Sequence, residues 1–146
     1  MGEDPHQASS LYNQRNMQII TTIHGQWRWV LAALAIIILV KCAIGLAGKR
    51  KPQPMDTTLA RMFSIALGIQ FLLGIVNVIE LLSRGAMYRQ AWEHAFTGLI
   101  AVALGSMVAP MLRRRGSHVV PLVLVVLTLA LAAVNVATVR GTWFYG

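Results

Sequence analysis

The chain reads as an all-α integral membrane protein, an antiparallel four-helix bundle with both termini on the same side. Three observations predict this. Of 146 residues, 56% are hydrophobic and only 12% charged, well away from the usual composition of a soluble domain. The apolar residues fall into four runs, each near the ~20 residues needed to cross a bilayer core. The 13 lysines and arginines flank these runs, as charges in membrane proteins do. A formal charge of +8 alone would suggest nucleic acid, but no basic surface interleaved with aromatics is present, so a nucleic-acid partner is not expected.

Residues 1–23 form a polar amino-terminal extension. It has no basic segment, short apolar core and small-residue cleavage site in sequence, so no removable signal peptide is expected. A short interfacial helix is expected over Leu11 to Ile23. The four-helix domain then covers residues 24–146.

The first span is predicted over about 27–47, with Lys41 in its last third able to snorkel to the nearer interface. A basic loop with two prolines follows, Gly48-Lys49-Arg50-Lys51-Pro52-Gln53-Pro54. Met55-Asp56-Thr57-Thr58 offers a helix cap to a second span over about 59–82, closed by Ser83-Arg84-Gly85. The third span is predicted over about 91–112 and the fourth over about 119–139, with Pro121 tolerated in its first turn. Short loops between four spans require an up-down-up-down arrangement.

Lys41, Lys49, Arg50, Lys51, Arg61 and Arg113 to Arg115 fall on one side, and Arg15, Arg28, Arg84, Arg89 and Arg140 on the other. This eight-to-five split of the 13 predicts, for a bacterial inner membrane, basic loops inside and both termini outside. Trp27, Trp29, Trp92 and Trp143 all fall at the outer level, where indoles anchor to the interface.

The topology gathers the candidate functional residues. Spans one and three run the same way, so His24 and His94 both fall near helix starts on the outer side, with Arg28, Glu80, Arg89 and Glu93. Ionisable groups at membrane depth are expensive and point to function. Two imidazoles at one depth on diagonal helices suit bis-histidine ligation of a haem b iron. Helix amino termini favour the neutral, ligating imidazole. Arg28, four residues from His24, could pair with a propionate, and Gly98, four residues past His94, leaves space one turn deeper. Ala101 and Gly105 continue that small-residue face. His6 and His118 are poorer ligands by position, and Arg89 with Glu93 forms an ordinary surface pair.

Gln70, Gly74 and Asn77 share one stripe of span two. Interhelical hydrogen bonding is the favoured reading of this stripe, and of Asn135 in span four; contact with a quinone is the other. A single cysteine, Cys42, excludes a disulfide framework, a CxxC redox centre and a cysteine zinc site within one chain.

His24 with Arg28-Trp29, the run Leu59-Ala60-Arg61-Met62-Phe63 leading to Gln70-Phe71-Leu72-Leu73-Gly74, and Glu93-His94 together carry a resemblance. Over about Ile23 to Ser106 the chain resembles a family of small four-span bacterial membrane proteins labelled cytochrome b-like. That resemblance implies haem b and electron transfer, with His24 and His94 as the matching histidines. Asn77-Val78-Ile79-Glu80 also matches the Asn-x-x-Glu of membrane glutathione and eicosanoid enzymes. Their Arg- and Glu-rich stretch before it is missing, since Gly68 to Ile75 offers only Gln70. The expected function is therefore a small membrane cytochrome of a respiratory or photosynthetic system, in contact with the lipid bilayer and other membrane subunits. The alternative is a haem-free accessory subunit that stabilises a larger complex through helix, lipid or quinone contacts.

Overall fold

A computed structural model describes residues 5–140, and of their side chains those from 14 to 138 other than 115. Every element among the described residues is helical: α1 (Pro5–Ala47), α2 (Pro54–Ser83), α3 (Arg89–Ser106), α4 (Val108–Arg115) and α5 (Val119–Arg140). Four stretches are long and apolar enough to cross a membrane, Gln14–Ala47, Pro54–Ser83, Arg89–Arg114 and Val119–Thr138. Their outer faces are apolar, with Ile65, Leu72 and Phe96 each more than 60% exposed. In a bilayer that surface faces lipid, and the backbone groups beneath it are satisfied inside their own helices. The chain is a multi-pass membrane protein.

Around the bundle, α1 packs on α2 and α5, and α3 packs on α2 and α5, while α1 and α3 have no backbone contact. They are diagonal partners, and any meeting of their side chains takes place across the bundle centre.

α1 departs from expectation. The stretch 11–23 is not a separate surface helix; it continues the helix of the first span without a break. α1 and α2 run antiparallel in a register marked at four levels: Lys41 opposite Asp56, Trp27 opposite Ala66, His24 opposite Gln70 and Thr21 opposite Asn77. At about 1.5 Å per residue, Gln70 lies roughly 20 Å short of the end of α2. The segment before Trp27 therefore packs along the second half of α2, and the first span begins well ahead of Trp27. Trp27 is consequently no interface anchor: it is half-buried, and its Nε1 donates to the Ala66 carbonyl at 3.0 Å. Trp29 and Trp92 are exposed, and Trp143 lies outside the described residues.

The other boundaries follow from local chemistry. α2 is capped at Gln53 rather than within 55–58; Asp56, three residues on, reaches back to accept the Gln53 N–H at 2.8 Å, half of a capping box. The predicted third span is broken at Met107 between α3 and α4. Pro110 has no N–H to offer the Ser106 carbonyl four residues earlier, so the ladder is interrupted there.

A dry layer fills the middle of the bundle: Ala35 and Ile38 from α1, Phe63 and Leu67 from α2, Val108 and Leu112 from α4, and Val125 from α5. Thr128 is buried in it and bonds only to the Leu124 carbonyl.

At the basic-loop end, three elements converge on Asp56, which is 8% exposed. Lys41 Nζ lies 3.1 Å from Oδ1 and His118 Nε2 3.6 Å from Oδ2. His118 reaches this place because Gly45 leaves room: a Cβ there would fall 2.5 Å from its ring. Lys41 is thus a partner of Asp56, not only a snorkelling side chain. Removing the ammonium strands a buried carboxylate. Lys41→Met should lower stability by about 1–3 kcal/mol in thermal unfolding in detergent, and adding Asp56→Asn should recover most of the loss. Equal losses in the single and double variants would refute the pairing.

Candidate functional site

At the far end of the dry layer the histidines meet. His24 of α1 and His94 of α3 face each other across the diagonal with ring centroids 6.0 Å apart and planes at 65°. His94, the sixth residue of α3, lies near that helix's start as expected, but His24 does not lie at a helix mouth. His24 is about 25 Å along α1 from Lys41, at 1.5 Å per residue, and so sits inside the span.

Each ring is held by a specific partner. His94 Nδ1 lies 3.3 Å from the Asn135 carbonyl of α5. A carbonyl only accepts, so Nδ1 carries the proton and Nε2 is the basic nitrogen. Asn135, itself 8% exposed, also donates through Nδ2 to the His94 carbonyl at 3.1 Å and accepts from Thr97 Oγ1 through Oδ1. On the other side, the Gln70 amide donates to the His24 carbonyl at 3.2 Å and faces His24 Nε2 at 3.4 Å. An NH2 group only donates, so Nε2 of His24 is also an acceptor, with the ring proton on Nδ1. Both rings are thereby contacted from helices other than their own. Gly74 sets the floor, since a Cβ there would meet His24 Cε1 at 3.2 Å.

Around the pair lies a cavity of about 480 Å³, within the usual range for small-molecule sites. His24, His94, Arg28, Gln70, Gly74 and Asn77 all line it. Arg28 is 6% exposed, and its guanidinium carbon lies 5.4 Å from the Trp29 ring centre. Asn77 Oδ1 accepts from Thr21 Oγ1 at 2.9 Å, so the span-two stripe both bonds across to α1 and faces the cavity. Glu80 also lines the wall and is paired with Arg84.

One expected feature falls elsewhere. Gly98 is not on the cavity wall; it lies against Asn135, with a Cβ position 3.6 Å from Nδ2, and lets α3 approach α5. Glu93 is the exposed partner of Arg89 that the four-residue spacing predicts.

Gln14, Gln18 and Thr21 were not expected in the site, yet they form one wall. Their signal was periodic: with Gly25 and Arg28 they recur at steps of three and four, a continuous polar stripe on α1. Among the described residues no group of three or more His, Cys, Asp or Glu is placed to hold a metal ion, so a protein-only metal centre is not built here. Two imidazoles suffice only where a cofactor supplies the other ligands.

The hydrogen bonds rank the polar residues. Asn77→Leu removes a single bond to an exposed threonine and should cost about 0.6 kcal/mol. Asn135→Leu strips two side-chain bonds from a buried position and should cost about 1–3 kcal/mol. Thermal unfolding of the purified variants checks the order; equal midpoints would contradict it.

No family model, curated protein or solved structure matches the chain.

Proposed function

We propose that the chain is a small membrane electron carrier in which His24 and His94 hold one haem b. The observation that carries this is the paired geometry of two imidazoles across the bundle diagonal. With metal–imidazole bonds of about 2 Å on each side, two rings clasping one metal atom have centroids about 6 Å apart; here they are 6.0 Å apart. Both present Nε2 as the basic nitrogen. His24 would hold the group through Nε2 in place of its 3.4 Å contact with Gln70, and the 3.2 Å bond from Gln70 to the His24 carbonyl would still seat the helix.

The chain's own residues do the positioning. Asn135 fixes the ring of His94 through its Nδ1–H, the arrangement that orients ligating histidines and raises their basicity. Gln70 and Gly74 seat His24 against α2. Arg28 places a buried positive charge on the cavity wall, suited to the carboxylates of such a group. Haem b, once bound, supplies a one-electron couple. In this reading the protein sits in the cytoplasmic membrane of a bacterium, where the distribution of lysine and arginine turns the histidine end outward and the basic loops inward. Its electron donor and acceptor are other membrane subunits of a respiratory or photosynthetic system.

A second reading rests on one atom. Gln70 Oε1 is buried and accepts no hydrogen bond from any described group. A carbonyl in that state calls for a hydroxyl donor, which a hydroquinone carries. The same cavity then serves as a quinol site, with Gln70 and a basic imidazole nitrogen as its two acceptors.

Spectroscopy and extraction separate the two. A reduced-minus-oxidised visible spectrum of haem-supplied protein should show a b-type band that His94→Ala abolishes. Absence of the band in folded protein rejects the haem reading. Isoprenoid quinone in the organic extract of that preparation, lost in Gln70→Leu, then establishes the second.

A further inference from the structure

The basic-loop end holds a second cavity, of about 180 Å³, lined by Lys41, Arg50, Lys51, Gln53, Asp56 and His118, with Ile44 at its edge. It shares no residue with the histidine site. We infer that this pocket binds a phosphate group, that of an anionic phospholipid headgroup.

The charge balance points to an anion. Three cations line the pocket and one carboxylate opposes them. That carboxylate is already engaged by the Gln53 N–H, Lys41 and His118. Arg50 and Lys51 make no ion pair among the described residues. A phosphate offers acceptor oxygens to the remaining Lys41 hydrogens, the Arg50 fork and the Lys51 ammonium.

The floor of the pocket, Gly45, Asp56 and His118, is buried, while Arg50 and Lys51 are exposed on the loop above it. The loop turns back on α1 through the Arg50 N–H to Gly45 carbonyl bond at 2.9 Å, with Lys49 at a positive φ of 49°. Arg50 then folds over Gly48, its Nε only 3.2 Å from where a Cβ would be. Lys41 is held by Asp56, and His118 closes the rear beside Gly45.

Lipid is favoured over free phosphate by what adjoins the pocket. Ile44, Val40 and Ile37 are all about half exposed and recur at steps of four and three on one face of α1. An acyl chain can lie along that stripe with its headgroup in the pocket. The level is that of the basic loops, where anionic headgroups are bound between helices.

The test uses the full chain in a neutral detergent, with thermal unfolding followed on addition of phosphatidylglycerol, phosphatidylcholine or inorganic phosphate. Phosphatidylglycerol should raise the midpoint by several degrees more than phosphatidylcholine does. The double variant Arg50→Gln with Lys51→Gln, which leaves Lys41 and Asp56 paired, should lose most of that difference. Arg113→Gln with Arg114→Gln, two exposed charges outside the pocket, should keep it. Equal loss in both double variants, or no difference between the two lipids in the unaltered protein, overturns the site. A shift that inorganic phosphate alone reproduces, dependent on Arg50 and Lys51, keeps the phosphate site and makes free phosphate its ligand.

Discussion

Between apolar helices in lipid there is little hydrophobic force to choose one register over another, because lipid tails are as apolar as leucine. What selects a register is the demand that buried polar groups find partners. Here that demand falls chiefly on α1 and α2. Lys41 must reach Asp56, Trp27 a backbone carbonyl, and His24 the amide of Gln70. A one-residue slip turns each of these side chains by about 100° around the helix and breaks all of them together. The placement of His24 in the bundle is therefore a by-product of the pairing that fixes the two helices.

The same logic governs the opposite wall. Asn135 satisfies the His94 carbonyl and Thr97 with its side chain, and its backbone oxygen takes the imidazole proton. Both histidines are oriented from helices other than their own, α2 for one and α5 for the other. Four elements thus contribute to a centre that only two supply with rings.

Much of this was legible in the sequence. Four apolar runs with basic flanks gave the bundle, and the shared direction of spans one and three brought His24 and His94 to one level. The gaps have physical causes. Span limits chosen by hydropathy placed the start of α1 at Trp27, because Gln14, Gln18 and Thr21 look like solvent-exposed residues until the cavity they face is known. Trp27 looked like an interface anchor because indoles favour that layer, yet a helix partner supplied its acceptor deeper in the bundle. Asp56 read as a cap and Lys41 as a snorkelling charge. Each does have a local role, but their mutual contact spans two helices, and only the packed register reveals it. Gly98 was misassigned because its side of α3 could not be chosen without knowing where α5 lies. Pro110 inside span three was the plain sign of the α3–α4 break, masked by the hydropathy of its neighbours.

The dry layer between the two polar clusters makes the molecule electrically one-sided. From Ala35 and Ile38 through Phe63 and Leu67 to Val125 it offers no side chain that could relay a proton; Ser64 and Thr128, the hydroxyls beside it, are turned onto backbone carbonyls. Any charge at the level of the histidine pair lies toward one membrane face, and so within only part of a membrane field whose full span is worth about 2.3 kcal/mol per charge at 100 mV. The bundle is thus an insulator with a contact at one terminal.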